Sequence, residues 1–280
     1  MKIGITGASG KLGQLVVSQL KDRVPSTDIV ALVRTPNKVE ALGIEARAFD
    51  YNEPSQLAAA LAGIDKLLLI SGNEIGKRFA QHSAVINAAK EAGVKHLVYT
   101  SLLKADGSTL VLAPEHLDTE KAIKESGLEY TILRNGWYNE NYTESAKDTV
   151  SIGTLYGSSG DGKITSASRV DFAEAAAVVL SEASHSNKTY ELSGDLAFTM
   201  TDYAAELSKL AGKEIPYVNI SEEEFAQALE QAGLPKPVAS FFAGTHTATL
   251  HGDLYDDGNQ LSQLIGRPTT PISQSIAEVL

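Results

Sequence analysis

"MKIGITGASGKLGQLVV" (residues 1–17) decides how the rest of the chain is read. A short apolar run, "KIGIT" (Lys2 to Thr6), meets three glycines, Gly7, Gly10 and Gly13. An amphipathic pattern of Leu12, Leu15, Val16 and Leu20 follows. Glycine costs backbone entropy and packs nothing, so three together need a reason. A strand feeding a helix through such a turn is the setting in which a dinucleotide's pyrophosphate rests on the backbone. Gly7 then makes the tight turn, Gly10 lets the pyrophosphate approach, and Gly13 lets the helix lie close to the sheet. The spacing is G-x-x-G-x-x-G rather than G-x-G-x-x-G, and an ordinary strand-to-helix turn is the competing reading.

The same alternation continues outward. "DIVALV" (28–33), "EARAF" (45–49), "KLLLI" (66–70), "KHLVYT" (95–100) and "YTIL" (130–133) read as buried parallel strands. Between them lie helical patterns such as "EPSQLAAALAG" and "RFAQHSAVINAAKEAG", each ending at a glycine suited to a C-cap, Gly63 and Gly93. The expected fold is α/β: a Rossmann-type, doubly wound parallel sheet covered on both faces. Beyond residue 135 the regularity loosens. "RVDFAEAAAVVLSEA" reads as a helix, "TYELSG" as a strand, and helices dominate from "TMTDYAAELSKLAG" on. "SEEEFAQALEQAG" carries a Ser N-cap, and its three glutamates form a first turn favoured by the helix dipole. The expected organisation is a dinucleotide-binding domain over residues 1–150, to which some later elements return, and a smaller, mostly helical substrate lobe over 151–280.

Composition narrows the partners. The 280 residues carry 35 acidic against 24 basic side chains, a net charge of −11. Nucleic acid and anionic membranes need clustered Lys and Arg, so neither is an expected partner. There is no cysteine, which removes disulfides, thiolate metal sites and a Cys nucleophile and makes the cytoplasm the default location. "LLLI" (67–70) is far short of the roughly 20 apolar residues that cross a bilayer, and no leader is expected before the first strand. The histidines show no metal-ligand spacing, so no metal is expected.

The end of the second strand selects the cofactor. An NAD-preferring site places an acid there for the ribose hydroxyls, whereas "ALVRTPNK" places Arg34. A guanidinium pairs well with a 2′-phosphate, Lys38 can assist, and the expectation is NADP(H). A solvated surface arginine is the competing reading. Asp50 reads equally as an acceptor for the adenine amino group or as a turn acid. Ser71, Gly72 and Asn73 follow the fourth strand at the carboxyl edge, where open α/β sheets bind ligands.

With "TGASGKLG", Arg34, "VYTSLL" and "YTILRNGWYNENY" in hand, the chain resembles the NmrA-like atypical short-chain dehydrogenase/reductases over essentially its whole length. It is most similar to the type 2 NAD(P)H:quinone oxidoreductases and the triphenylmethane reductases. The resemblance implies cofactor contacts at Gly7, Ala8, Ser9, Gly10, Lys11 and Leu12, at Arg34, at Ser71 to Asn73, and at Gly136, Trp137, Tyr138, Asn139, Glu140 and Asn141. Ordinary members of the wider family carry Tyr-x-x-x-Lys. Taking Glu120 as the family's glutamate puts His116 at the lysine position and Leu112 at the tyrosine position. A leucine transfers no proton, so alcohol–ketone chemistry by the usual route is not expected.

Quinone reduction demands less, because positioning the nicotinamide against a ready hydride acceptor does most of the work. Trp137, Tyr138 and Tyr142 offer aromatic faces for a flat acceptor, with Asn135 and Asn141 to orient it; core packing is the competing reading. His116 and Tyr138 are the candidate catalytic residues, although His116 reads also as a helix anchor. Thr100 and Ser101 sit where relatives keep a catalytic hydroxyl, and Tyr99, on the opposite face, reads as core. The expected activity is NADPH-dependent reduction of a quinone-like small molecule without flavin or metal, with a homodimer left open. The rival is a non-catalytic NADP(H)-binding redox sensor of the NmrA type.

Overall fold

The β-rich runs of the first half become β1 (Ile3–Thr6), β2 (Ile29–Val33), β3 (Glu45–Ala48), β4 (Lys66–Leu69), β5 (His96–Leu102) and β6 (Glu129–Asn135) of the computed structural model, which describes residues 1–280. Three more strands follow: β7 (Leu155–Gly157), β8 (Lys188–Leu192) and β9 (Tyr217–Asn219). The helices are α1 (Lys11–Lys21), α2 (Pro54–Ala60), α3 (Arg78–Glu91), α4 (Ala113–Glu125), α5 (Glu140–Thr143), α6 (Ala146–Ile152), α7 (Arg169–Ser181), α8 (Met200–Ala211), α9 (Glu222–Gln231), α10 (Lys236–Leu250), α11 (Gln260–Ile265) and α12 (Ile272–Val279).

Two units divide the chain. The first takes Met1–Ala105, Leu112–Asn135 and Arg169–Leu192. It holds a seven-stranded parallel sheet in the order β3-β2-β1-β4-β5-β6-β8. Strands β2 and β5 are buried at every residue, and β2 accordingly reads as a continuous apolar run. On one face α2, α3 and α4 bring Leu57, Leu61, Val85, Ile86 and Ile123 onto Leu67, Leu97 and Tyr99. Each such side chain contributes about 1.5–3 kcal/mol by leaving water. Helix α1 buries Leu12, Val16, Val17 and Leu20 and packs on α7, whose apolar residues run all round it. The first unit's stretch of the chain's first half stops at Asn135, the last residue of β6. Residues 169–192 return to it as α7 and β8.

The second unit takes Asp106–Val111, Gly136–Ser168 and Ser193–Leu280. Strands β7 and β9 pair as a two-stranded parallel sheet. Ser221 caps α9 in a reciprocal capping box with Glu224, as its sequence suggests, and Thr199 with Asp202 does the same for α8. Tyr142, Phe198 and Tyr203 form an aromatic cluster with ring centroids 5.8–6.4 Å apart. Tyr142 is therefore core, held further by Tyr203 Oη donating to its carbonyl at 2.9 Å. No helix is long and apolar enough to cross a membrane.

Candidate functional site

Strand β1 lies between β2 and β4, so the chain winds outward in both directions and a crevice opens at the carboxyl ends of these strands. The crevice holds about 300 Å³ and is lined by Gly7, Ser9, Gly10, Arg34, Asp50, Ser71, Gly72 and Asn73, among others. Gly7 sits at φ +60°, in the left-handed region. A Cβ on Gly13 would lie 2.3 Å from the Gly7 carbonyl oxygen and 2.7 Å from Ala8 Cα, so the first turn of α1 rests on the loop only without a side chain. Gly10 is the N-cap and offers no side-chain acceptor, so no side chain caps the first turn of α1. This cradle fits a pyrophosphate. Ala8, Leu12 and Gly13 are buried behind the crevice wall, and Lys11 is exposed on α1.

Arg34 follows β2 directly, is exposed, and makes no hydrogen bond or ion pair within the protein; Lys38 is exposed four residues on. Arg34 is therefore an uncommitted cation on the wall of the crevice. Asp50 resolves toward the turn reading, since its Oδ1 accepts from the Asn52 amide at 3.0 Å, yet it also lines the crevice. The donor set suits NADP(H).

Past Leu69 the strand ladder of β4 runs out, and side chains take over its backbone groups. The amides of Ile70, Ser71 and Gly72 donate to Thr6 Oγ1 (3.0 Å), Thr100 Oγ1 (2.9 Å) and His82 Nε2 (2.9 Å). Tyr51 Oη donates to the Ile70 carbonyl at 2.9 Å, and Arg78 Nε to that of Gly72 at 2.7 Å. Ser71 and Asn73 remain the polar side chains of this segment on the crevice. Tyr51, Asn52, Glu74 and Gln81 complete the wall. Sequence reasoning passed over these four; the signal for Gln81 was its place with Arg78, His82 and Val85 on the inner face of α3.

The catalytic expectations meet a different geometry. His116 is buried on α4, with Nδ1 2.7 Å from Tyr99 Oη. Burial first, and then the Arg78 charge, pushes its pKa down to about 3, so it stays neutral at physiological pH. This is the geometry of a helix anchor rather than a proton donor. Thr100 Oγ1 accepts the Ser71 amide and donates to Ser71 Oγ at 3.5 Å, and Ser101 Oγ donates to Glu120 Oε1 at 2.6 Å, so neither hydroxyl is free. Glu120 itself clamps Arg134 through both oxygens, at 2.8 and 2.7 Å.

His82, like His116, is held near pKa 3, mainly by burial. Both rings bind protons less readily folded than unfolded, where their value is 6.5. Stability is therefore full above that value and falls as pH drops from about 6.5 toward 3, by roughly 1 kcal/mol per ring at about pH 5.5. Urea unfolding at neutral and acidic pH checks this, and the assignment fails if His82→Leu and His116→Leu leave the acid sensitivity unchanged.

Gly136 to Asn141 belongs to the second unit. Trp137 and Tyr138 are half-buried, and their backbone pairs with Ala167 through Ala167 N donating to Trp137 O (3.2 Å) and Asn139 N to Ala167 O (2.8 Å). Gly136 is buried, Glu140 half-buried and Asn141 exposed. Asn139 corrects the expectation. It is fully buried, donates to Thr270 O and Ser275 Oγ at 3.0 Å each, and accepts from Ser166 Oγ at 2.6 Å. Its amide is committed to the fold and has no surface for a cofactor.

Comparison with known proteins agrees with this geometry. Residues 7–183 match a family model described as NAD(P)H-binding. The chain is 51% identical over 280 residues to quinone oxidoreductase 2 of Escherichia coli, covering 99% of this chain and 98% of that one. It is similar to the crystal structure of the E. coli NADPH-dependent quinone oxidoreductase complexed with NADPH, with a TM-score of 0.96, 52% identity and 99% of each chain covered. It is also similar to Citrobacter sp. triphenylmethane reductase complexed with NADP(H), with a TM-score of 0.97, 38% identity and 100% of each chain covered. A glycine turn at the switch point and a family match over most of the first unit lead to one conclusion: the chain belongs to the NAD(P)H-binding family.

Proposed function

We propose that the protein is an NADPH-dependent reductase that passes hydride to a quinone or a similarly conjugated, electron-poor small molecule. The observation that carries this reading is Arg34, exposed and unpaired on the same crevice as the glycine turn, in a chain half-identical to a quinone oxidoreductase along its whole length. Bound NADPH supplies the hydride. Gly7 to Gly10 hold the pyrophosphate on backbone groups, Arg34 with Lys38 takes the 2′-phosphate, and Ser71 and Asn73 contact the ribose and phosphates. In the second unit the half-buried Trp137 and Tyr138 are the aromatic residues proposed to meet a flat acceptor.

The residues at the usual proton-transfer positions support an acceptor that needs no strong acid. Leu112 has no proton to give, His116 is a buried neutral ring, and the hydroxyls of Thr100 and Ser101 are spoken for. A reduced quinone oxygen takes its proton from water. Transfer is direct, with neither flavin nor metal. The activities named for the relatives are reductions, which supports an enzyme over a redox sensor.

The test is NADPH and NADH oxidation by flavin-free protein, with and without 1,4-benzoquinone, corrected for the direct chemical reaction. Quinone-dependent turnover that prefers NADPH is expected. Tight NADPH binding with no turnover on several quinones would reject the enzyme reading in favour of the sensor.

A further inference from the structure

The segment after β4 is held from behind by two buried side chains of α3. Gly72 is the pivot. Its N–H donates to His82 Nε2 at 2.9 Å, and its carbonyl accepts from Arg78 Nε at 2.7 Å. The N–H belongs to the peptide before Gly72 and the carbonyl to the peptide after it, so both backbone dihedrals at this residue are determined from the protein interior. His82 is fully buried and Arg78 is 5% exposed. Gly72 itself lies against α3, since a Cβ there would meet Gln81 Oε1 at 3.0 Å and His82 Nε2 at 3.8 Å.

The bond directions settle the tautomer of His82. Nε2 accepts from Gly72, so Nδ1 carries the proton and donates to Thr119 Oγ1 at 3.0 Å. Thr119 Oγ1 in turn donates to the Glu115 carbonyl at 2.7 Å. Glu115 also closes the arrangement from the other side: its carboxylate accepts from the Gly76 amide at 3.2 Å and lies 3.5 Å from Arg78 Nη1. The loop between Gly72 and Gly76 is thus tied at both ends to α3 and α4 by side chains that do not line the crevice.

We infer that His82 and Arg78 are positioning residues for the cofactor, acting through the Gly72 peptides to place Ser71 and Asn73. The inference rests on the reading of this crevice as the NADPH site. Neither side chain touches the cofactor. His82 must offer an unprotonated Nε2 to the Gly72 amide, and Thr119 keeps it in that tautomer. A leucine at 82 preserves volume but leaves the Gly72 N–H buried without an acceptor, and the loop must shift to hydrate it.

Three variants test this: His82→Leu, His82→Gln, whose amide oxygen can take the place of Nε2, and Thr119→Val, which removes the group that orients the ring. His82→Leu should raise the NADPH Kd, read by fluorescence titration, about tenfold and speed amide exchange at Gly72 by a similar factor. The KM for benzoquinone at saturating NADPH should not follow. His82→Gln should recover Kd to within about threefold of the parent, and Thr119→Val should fall between the two. A general loss of packing would lower stability equally in the Leu and Gln variants without separating their Kd values. Should His82→Leu not fold, the Gln and Val variants carry the same comparison. Folded variants with parental Kd and parental exchange at Gly72 would overturn the inference. The binding and exchange readouts need no turnover, so a protein that reduces no quinone still answers the question. A parent that binds no NADPH rejects the proposed function instead, while Gly72 exchange continues to report the clamp.

Discussion

Glu120→Gln should cost the folded protein about 3–5 kcal/mol, the usual penalty for stripping one partner from a buried ion pair. Glu120 and Arg134 have side chains only 2% and 7% exposed. Glu120 grips the guanidinium with two parallel bonds and also accepts from Ser101 Oγ, and a further Arg134 bond goes from Nη1 to Glu191 Oε1 at 2.8 Å. Glu191 Oε2 also accepts the amide of Lys104, which is held at φ +50° just after β5. One cation therefore gathers the carboxyl ends of β5, β6 and β8 onto the middle of α4. Glutamine keeps the shape but removes the charge, so Arg134 loses its bidentate carboxylate, keeps its contact with Glu191, and the more exposed Lys124 is no longer drawn in. Urea unfolding measures the loss. The double variant Glu120→Met/Arg134→Met should be less destabilised than Glu120→Gln, because neither charge is then left alone. A Glu120→Gln loss below about 1 kcal/mol would mean that the pair is a solvated contact rather than a structural one.

That pair also says what replaced the missing proton-transfer chemistry. The positions next to β5 that hold a hydroxyl are used here for fastening: Thr100 to the segment after β4, Ser101 to Glu120. His116 fastens α4 to Tyr99. The strands needed no such detail to be legible, since a run buried on both faces shows as an aliphatic stretch, unbroken in β2. The glycine turn was legible because Gly7 and Gly13 each meet a local geometric demand within a few residues. Arg34 was legible because it is the first residue past β2.

What escaped the sequence is long-range. Asn139 looks like a site residue until Thr270 and Ser275, more than a hundred residues away, are seen to hold its amide. Arg78, Gln81 and His82 share a helical period with Val85 and Ile86, but polar residues at apolar positions announce only that they are buried. Their partners, Gly72, Asn52 and Thr119, are set by how α3 lies on the sheet. His116, Thr119, Glu120 and Ile123 repeat the pattern on α4.

Arg34→Ala should raise the KM for NADPH about 30-fold or more and leave that for NADH within about twofold, because one charge-assisted hydrogen-bond pair is worth roughly 2 kcal/mol. The asymmetry is the informative part. A guanidinium that merely lined the crevice would affect both cofactors through the shared ribose and pyrophosphate, whereas one that meets the 2′-phosphate affects only the cofactor that carries it. Arg34 makes no internal contact, so its removal should leave stability unchanged and the kinetic effect clean. Arg34→Lys should recover only part of the preference, since an ammonium keeps the charge but loses the planar fork. Lys38→Ala should cost less than Arg34→Ala and more at low salt than at high, as expected of an exposed charge acting across solvent. Equal effects of Arg34→Ala on both cofactors would move the selection to the other charged groups near the crevice, Lys38 and Asp50 first. Selection by Arg34 predicts the opposite for Asp50→Asn: a change of less than about threefold with either cofactor, because Oδ1 is already spent on the Asn52 turn.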